Sequence, residues 1–566
     1  MIFYDFEVFK YNWLVVLKNT TSHKTTTIVD DKEKLENFYN ENKEEIWCGF
    51  NSRSYDQYIL KAILCGFNPK EINDFIIVEK KGGWEFSSLL HRIPLINYDT
   101  MTTMHGLKQL EGFLGNDIRE TSVPFDINRE LTTDEIKEVI KYCNHDVEQT
   151  MAVFMSRIDD FKSHISLITA FKLPLKYLNK TKPQLSSIIL KARKNSYNDE
   201  FEFEIVPQIK LLKPKYQKVK EWYLNKDNLS YDKELKLDVA GVPHIFAWGG
   251  IHGAVKNYIA EGIFLNVDVA SYYPSLMIEY GFSSRSIENP SLYADIYHTR
   301  LKLKAEENPM QQPYKIVLNS TYGAMKDKYN NLYDPRQANN VCINGQLMLL
   351  DLIEKLEDKV QLIQSNTDGI LVKLKSMDDL EEVKEICHEW EHRTKMNLEY
   401  DLYTKVIQKD VNNYIIVDAN GDYKSKGAYV KKLKELDFDL PIVNAALKNY
   451  FLKNIPVEKT INECDELYQF QKVVKVSSKY AAAYHGNNKL DEKTIRVFAS
   501  RSRADGGIFK RKTGGNLEKV GNTPKKCFID NTNIKNKKVP RKLNRNWYIE
   551  VSKKRINDII GVGKNV

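Results

Sequence analysis

No two cysteines in this 566-residue chain stand at Cys-x-x-Cys spacing; the seven present are scattered at positions 48, 65, 143, 342, 387, 464 and 527. That pattern fits a reducing compartment and speaks against a zinc or iron–sulfur site. Also missing is any run of about 18 apolar residues, the length a membrane span needs. No internal repeat is visible. The opening run Met1-Ile-Phe-Tyr-Asp-Phe-Glu7 reads directly as a strand and leaves no room for a signal peptide. The expectation is a cytoplasmic protein with no membrane partner. Hydrophobic content of 42% and aromatic content of 11% supply packed interiors, and the length calls for several domains, since single cores stop growing near about 250–300 residues. Charge is uneven. Residues 491–566 hold 20 Lys+Arg against 7 Asp+Glu, so this tail carries +13 of a total of +8 and the preceding 490 residues carry −5. A basic tail on an acidic body suits a partner with a phosphate backbone.

The chain is organised around Asn266-Val-Asp-Val-Ala-Ser-Tyr-Tyr-Pro-Ser275, where an apolar strand runs into one carboxylate, Asp268, and then a turn. Lys315-Ile-Val-Leu-Asn-Ser-Thr-Tyr-Gly323 reads as a helix carrying a cation, ended by its glycine. Ser365-Asn-Thr-Asp368-Gly369, between two apolar runs, reads as a β-hairpin with an acid at its tip. Between these lie two helices, Leu292–Glu307 with Arg300 and Lys304 one turn apart and Tyr314–Tyr322 with Lys315, joined by the reversal Asn308-Pro-Met-Gln-Gln-Pro313.

Upstream, Asp5 and Glu7 lie two apart on a strand, so both carboxylates point to one face. Asp56 follows Asn51-Ser-Arg-Ser-Tyr at a strand-to-helix junction, and Asp146 lies one helical turn beyond Tyr142. Converging acids repel one another unless cations lie between them, which is the footprint of a two-cation site for attack on a phosphodiester. Residues 151–245, mostly helical and interrupted by Pro174, Pro183, Pro207 and Pro214, read as a connector. The glycines of Phe246-Ala-Trp-Gly-Gly250 would let backbone approach a ligand closely. Beyond residue 436, helical segments and the basic tail follow, with Gly506-Gly, Gly514-Gly and Lys535-Asn-Lys-Lys in loops.

The three central stretches, in this order, resemble motifs A, B and C of family B DNA polymerases. The four upstream acids resemble the Exo I, II and III motifs of a 3′–5′ proofreading exonuclease. The resemblance implies an α/β multidomain fold: an RNase H-like exonuclease domain followed by a right-hand polymerase of palm, fingers and thumb. The implied ranges are 1–165 exonuclease, 166–245 connector, 246–284 palm, 285–335 fingers, 336–435 palm and 436–566 thumb. It implies that Asp5, Glu7, Asp56 and Asp146 hold the exonuclease metals and that Tyr142 orients the attacking water. Asp268, Asp368 and the Val269 carbonyl would hold two Mg²⁺, with Mn²⁺ as an alternative. Lys315, Arg300 and Lys304 would neutralise the triphosphate, Asn319 and Tyr322 would line the nascent pair, and Ser271 would adjoin the nucleotide. Tyr273 stands at the steric-gate position, with Tyr272 as its competitor. Asn51, Gly249, Gly250, Tyr414 and Lys426 would contact DNA.

The implied partners are primer–template DNA, single-stranded DNA, dNTPs and phage replication accessory proteins, with the enzyme a monomer. Several positions depart from the family pattern. Asn366 replaces the first Asp of Asp-Thr-Asp, Gly106 stands where Ser or Thr is frequent, Trp248 replaces Tyr, and Asn412-Asn-Tyr414 replaces Lys-x-Tyr. The gaps between motifs, such as the 42 residues between Gly323 and Asn366, leave no space for the insertions of protein-primed phage polymerases. The chain thus resembles a compact phage-type or mobile-element enzyme. Two other readings follow from the same residues: an exonuclease whose polymerase region is weakened or serves only to bind DNA, and a non-catalytic DNA-binding scaffold.

Overall fold

The computed structural model describes residues 1–427, 429–433, 436 and 440–562. The ranges 336–435 and 436–566 named above include residues 428, 434, 435, 437–439 and 563–566, which lie outside the described residues. The chain is mixed α/β and divides into two compact units. One comprises Met1–Lys180, Leu433–Ala446 and Pro456–Val551; the other comprises Thr181–Lys432, Leu447–Ile455 and Ser552–Val566. Among the described residues no helix is long and apolar enough to cross a membrane.

The first unit begins with a five-stranded sheet. Its strands are β1 (Ile2–Val8), β2 (Trp13–Asn19), β3 (Thr25–Val29), β4 (Ile46–Gly49) and β5 (Ile96–Asp99), in the order β3-β2-β1-β4-β5. β1, β2 and β3 pair antiparallel, and β4 joins β1 and β5 in parallel. Helices α1 (Lys32–Asn42) and α2 (Asp56–Leu64) cover the face carrying Ile2, Tyr4, Phe6 and Val8. After the short α3 (Leu107–Phe113), the 24-residue α4 (Thr133–Ser156) covers the opposite face through Val139, Cys143 and Val147. Its start follows from a capping box in which Thr132 and Glu135 satisfy each other's backbone donors.

The second unit is built on a nine-stranded antiparallel sheet. It is assembled from β6 (Leu235–Val239), β7 (Val242–Phe246), β8 (His252–Ala254), β9 (Tyr258–Val269), β10 (Gln361–Ser365), β11 (Gly369–Leu374), β12 (Leu398–Asp410), β13 (Asn413–Val417) and β14 (Tyr423–Lys426). The order is β14-β13-β12-β9-β11-β10-β8-β7-β6, so β9, the strand ending at the central acid, lies mid-sheet between β11 and β12. Helices α5 (Tyr272–Glu279), α6 (Ser291–Ala305), α7 (Gln311–Lys326) and α8 (Pro335–Leu356) come between β9 and β10. Nearly every residue of α8 is buried.

Three expectations need correction. α7 does not end at Gly323 but continues to Lys326. A helical glycine costs only about 1 kcal/mol, and Ala324 and Met325 just beyond it are buried. The connector is helical over Ile158–Ala170, Lys182–Ile189 and Pro214–Leu224, with a long stretch of irregular chain between the last two. The region after residue 470 is not mainly helical. It forms seven short strands in two sheets, among them Lys472–Lys475, Ala482–His485 and Thr494–Ala499, before α9 (Arg545–Ile560). β-Branched pairs such as Val473-Val474 favour strands, and Gly514 supplies the turn between Ile508–Arg511 and Leu517–Lys519; the high lysine content masks this alternation in the sequence.

Candidate functional site

Two groups of carboxylates are assembled, one in each unit. In the first, side chains alternate along β1, so Asp5 and Glu7 share the face of Phe3, the face that α4 covers. α4 presents Tyr142 and Asp146 one turn apart, and Cys143 donates from Sγ to the Asp5 carbonyl oxygen at 3.3 Å. Asp56 opens α2, and its Oδ1 accepts from the Phe6 amide at 3.1 Å, which ties it to the middle of β1. The four acids therefore sit within one another's fields. Burial pushes the Asp5 carboxyl well above the usual range, and Asp56, Glu7 and Asp146 raise it further. Glu7 is raised in the same way, by burial and then by Asp146 and Asp56. Burial raises Asp56 to about 7 and Asp146 to about 6. Burial also raises the Tyr142 phenol, with Asp146 adding to it.

These shifts set a pH dependence. A carboxyl whose folded pKa exceeds its unfolded value adds stability that is complete below the unfolded pKa and is lost as pH rises through the folded one. For Asp56 that window runs from about 4 to about 7. In EDTA, lowering the pH from 8 to 6 should raise the melting temperature, and the gain should be smaller in Asp56→Asn. Equal gains in the two proteins would show that Asp56 does not carry this strain.

In the second unit, Asp268 lies near the end of β9, opposite Gly369 on β11 and Glu399 on β12. The hairpin joining β10 and β11 is closed by the Asn366 amide donating to the Gly369 carbonyl at 2.8 Å, with Asp368 in its turn. The Val269 amide donates to the Asp368 carbonyl at 2.7 Å, which locks the hairpin to β9. Gly369 has no substitute here: a Cβ at this position would lie 2.0 Å from Asp268 Oδ1. Gly250 is similarly constrained, because its Cβ would meet Thr367 Oγ1 at 2.3 Å, so the Gly-Gly loop lies on the hairpin tip; Gly249 has open space. The acids open into a polar cavity of about 400 Å³ also lined by Tyr414, Lys424 and Lys426. Asn266 donates to Asp268 Oδ2 at 2.6 Å. Burial raises Asp268 to about 6, against the Asn266 hydrogen bond and with the help of Asp368.

The nucleotide candidates lie on α5, α6 and α7. Lys315, Asn319 and Tyr322 recur at i, i+4 and i+7, one face of α7; the first two are exposed and the third half-buried. Ser271 adopts a left-handed backbone at the start of α5, and its Oγ accepts from Arg300 Nη1 at 2.7 Å. Lys304 pairs with Glu399 at 3.1 Å. Tyr272 and Tyr273 part company. Tyr272 is buried and donates to the Gly345 carbonyl at 2.7 Å. The Tyr273 ring is half-buried, with its centroid 4.4 Å from that of Tyr322. In the first unit, Asn51 is exposed in a left-handed turn (φ 61°), and its amide donates to Asp99 Oδ1 at 2.8 Å.

No family model matches the chain. It is similar to DNA polymerase 1 of Saccharolobus solfataricus, 23% identical over 302 residues that make up 44% of this chain and 33% of that protein. DNA polymerase 1 of Sulfurisphaera ohwakuensis is 24% identical over 197 residues, 34% of this chain and 21% of its own length. DNA polymerase II of Escherichia coli is 28% identical over 99 residues, 17% of this chain and 13% of its own. The chain is similar to DNA polymerases. It spans a third or less of the length of these curated relatives. Among solved structures, it is similar to the family B DNA polymerase from Pyrobaculum calidifontis, with a TM-score of 0.43 and 15% identity, covering 100% of this chain and 78% of that one.

Several residues at the two carboxylate groups escape a sequence reading. Lys108, on α3, donates from Nζ to Asp146 Oδ1 and, at 3.1 Å, to Glu111 Oε1, and it lies 4.6 Å from the Tyr142 ring centroid. Glu111 and His145 are buried, with Nε2 and Oε2 3.5 Å apart. Lys108 lies two residues beyond Gly106 on a helix that also carries Gln109 and Glu111, so nothing in its local pattern marks it out. Asn266 and Gln364, both in the walls of the second cavity, carry no charge and give no signal either.

Proposed function

We propose that the chain is a DNA-directed DNA polymerase of family B with a 3′–5′ proofreading exonuclease. It adds dNTPs to a primer 3′ end and removes mispaired ends. The observation that carries this reading is the meeting of Asp268 and Asp368 at one polar cavity, on a strand and a hairpin interlocked through Val269 and Gly369. Similarity to three DNA polymerases supports it. The β3-β2-β1-β4-β5 order supports an RNase H-like reading of the N-terminal sheet, and its four mutually repelling acids support the exonuclease.

The carboxylate oxygens of both groups suit hard divalent cations such as Mg²⁺, and in the first group the Cys143 thiol and the His145 ring lie within reach as softer donors. In the exonuclease group Asp5, Glu7, Asp56 and Asp146 would hold them. In the polymerase group the holders would be Asp268, Asp368 and the Val269 carbonyl, and the buried Asn366 Oδ1 has no hydrogen-bond partner, which leaves one more oxygen facing the same need. Bound cations lower the pKa of the attacking hydroxyl or water and offset charge on the phosphate. Around them, Lys315 and Arg300 bind the triphosphate, with Arg300 oriented by Ser271. Lys304 exchanges Glu399 for phosphate. Asn319 and Tyr322 line the base pair, while Asn51, Gly249, Gly250, Tyr414 and Lys426 guide the strands through backbone contacts. Tyr142 orients the hydrolytic water.

Tyr273 sets sugar choice. Its ring is held against Tyr322 and the backbone near Gly345, where an added Cβ would meet it at 3.4 Å, so it cannot retreat from a 2′-hydroxyl. Tyr273→Val should raise incorporation of ribonucleotides relative to dNTPs by about tenfold or more, since each ~1.4 kcal/mol of steric discrimination is a factor of ten. Tyr272→Val should instead loosen the fold, because Tyr272 holds Gly345. If Tyr272→Val alone changes sugar choice, the register through motif A is off by one. Compact phage-type ancestry, action as a monomer in the cytoplasm and cooperation with replication accessory proteins belong to the same proposal.

A further inference from the structure

The C-terminal part of the first unit contains a second formed cavity, of about 390 Å³, that shares no residue with either carboxylate group. Three guanidinium-bearing residues line it, Arg501, Arg541 and Arg545, and none of its lining residues is acidic. Among the described residues no ion pair is formed by any of the three. Two of them are fixed by neutral acceptors. Arg501 donates from Nε to the Arg541 carbonyl at 2.7 Å, and Arg545 donates from Nη1 to the Ile461 carbonyl. Such bonds orient a guanidinium without cancelling its charge. Three arginines without an ion-pair partner among the described residues line one cavity, with Arg545 also held over the Phe470 ring at 5.3 Å; their charges repel one another, and an anion relieves that repulsion. The planar fork of arginine fits the oxygens of a phosphate in particular.

The rest of the wall narrows the choice. Asn462 and Asn546 add side-chain amides that both donate and accept, and Pro540 and Leu543 add an apolar surface. Inorganic phosphate needs neither, whereas a nucleotide has a base edge for the amides and a flat face for the apolar wall. The volume falls within the range of small-ligand sites. We infer that this cavity binds a phosphate-bearing nucleotide, either free or as one unit of a nucleic-acid strand, separately from both reaction centres.

The test uses the intact chain in EDTA, where metal-dependent nucleotide binding at the carboxylates is removed, so its outcome is independent of the polymerase reading. Hydrogen exchange over residues 539–546 is followed while dAMP, a short oligothymidylate or inorganic phosphate is added. dAMP or the oligonucleotide should slow exchange there, and which of the two does so identifies the source. Arg541→Gln should raise the concentration needed by about tenfold, and Arg541→Lys, which keeps the charge, should raise it less. Arg541 is the residue to change because it is exposed and its side chain pins no backbone carbonyl in the cavity wall. No slowing by either nucleotide, or slowing that Arg541→Gln leaves unchanged, would overturn the site. Equal slowing by inorganic phosphate at the same concentration would overturn its assignment to a nucleotide.

Discussion

Replacing Asp368 by asparagine should abolish primer extension and leave 3′–5′ degradation at its original rate. Among the described residues, Asp268 and Asp368 are the only carboxylates lining their cavity, so the change removes half of the negative charge they supply. Asparagine has the same shape, and Asp368 is exposed, so the hairpin and its 2.7 Å bond from Val269 to the 368 carbonyl should survive. With Asn366 already neutral, the turn would read Asn-Thr-Asn and hold no acid. Loss of a single electrostatic contact to the reacting groups costs roughly 10²–10³-fold, and loss of a ligand to the cation that carries the reaction should cost at least that. Extension above a few per cent of the parent would remove Asp368 from the reaction.

Changing Asp5 and Glu7 together to alanine should have the converse effect. Degradation of single strands should fall by at least about a hundredfold while synthesis continues. This double substitution should not weaken the fold. Both carboxyls are pushed up by burial and by their neighbouring acids, so in EDTA their removal relieves repulsion, and the melting temperature at pH 8 should hold or rise. Undiminished degradation would make the Asp-x-Glu pair structural. Degradation lost together with a large fall in melting temperature would instead mean that the pair supports the sheet.

The parts of this molecule legible in its sequence are those where local pattern and chemistry coincide. Asp5 and Glu7 are two apart on a strand, Tyr142 and Asp146 are four apart on a helix, and Asp368 sits between two apolar runs; each spacing fixes a shared face or a hairpin tip whatever the surroundings. The strand and turn around Asp268 could be read locally, but the division of labour between Tyr272 and Tyr273 depends on Gly345, which is 72 residues beyond Tyr273. Lys108 escaped because its significance lies in a contact with Asp146, 38 residues away, that no local pattern announces. The strands after residue 470 escaped for a different reason. They are three to six residues long, too short for alternation to stand out against interspersed lysines. The arginine cavity joins residues 462, 501 and 539–546, a grouping that only the folded chain creates.

The most direct test of the central claim follows a primer labelled at its 5′ end and annealed to a longer template, with the purified chain and Mg²⁺. With all four dNTPs the primer should lengthen to the end of the template, and without them it should shorten from its 3′ end. Shortening under both conditions would contradict the polymerase reading and leave an exonuclease whose polymerase region is weakened or serves only to bind DNA. A primer unchanged under both would contradict the account as a whole.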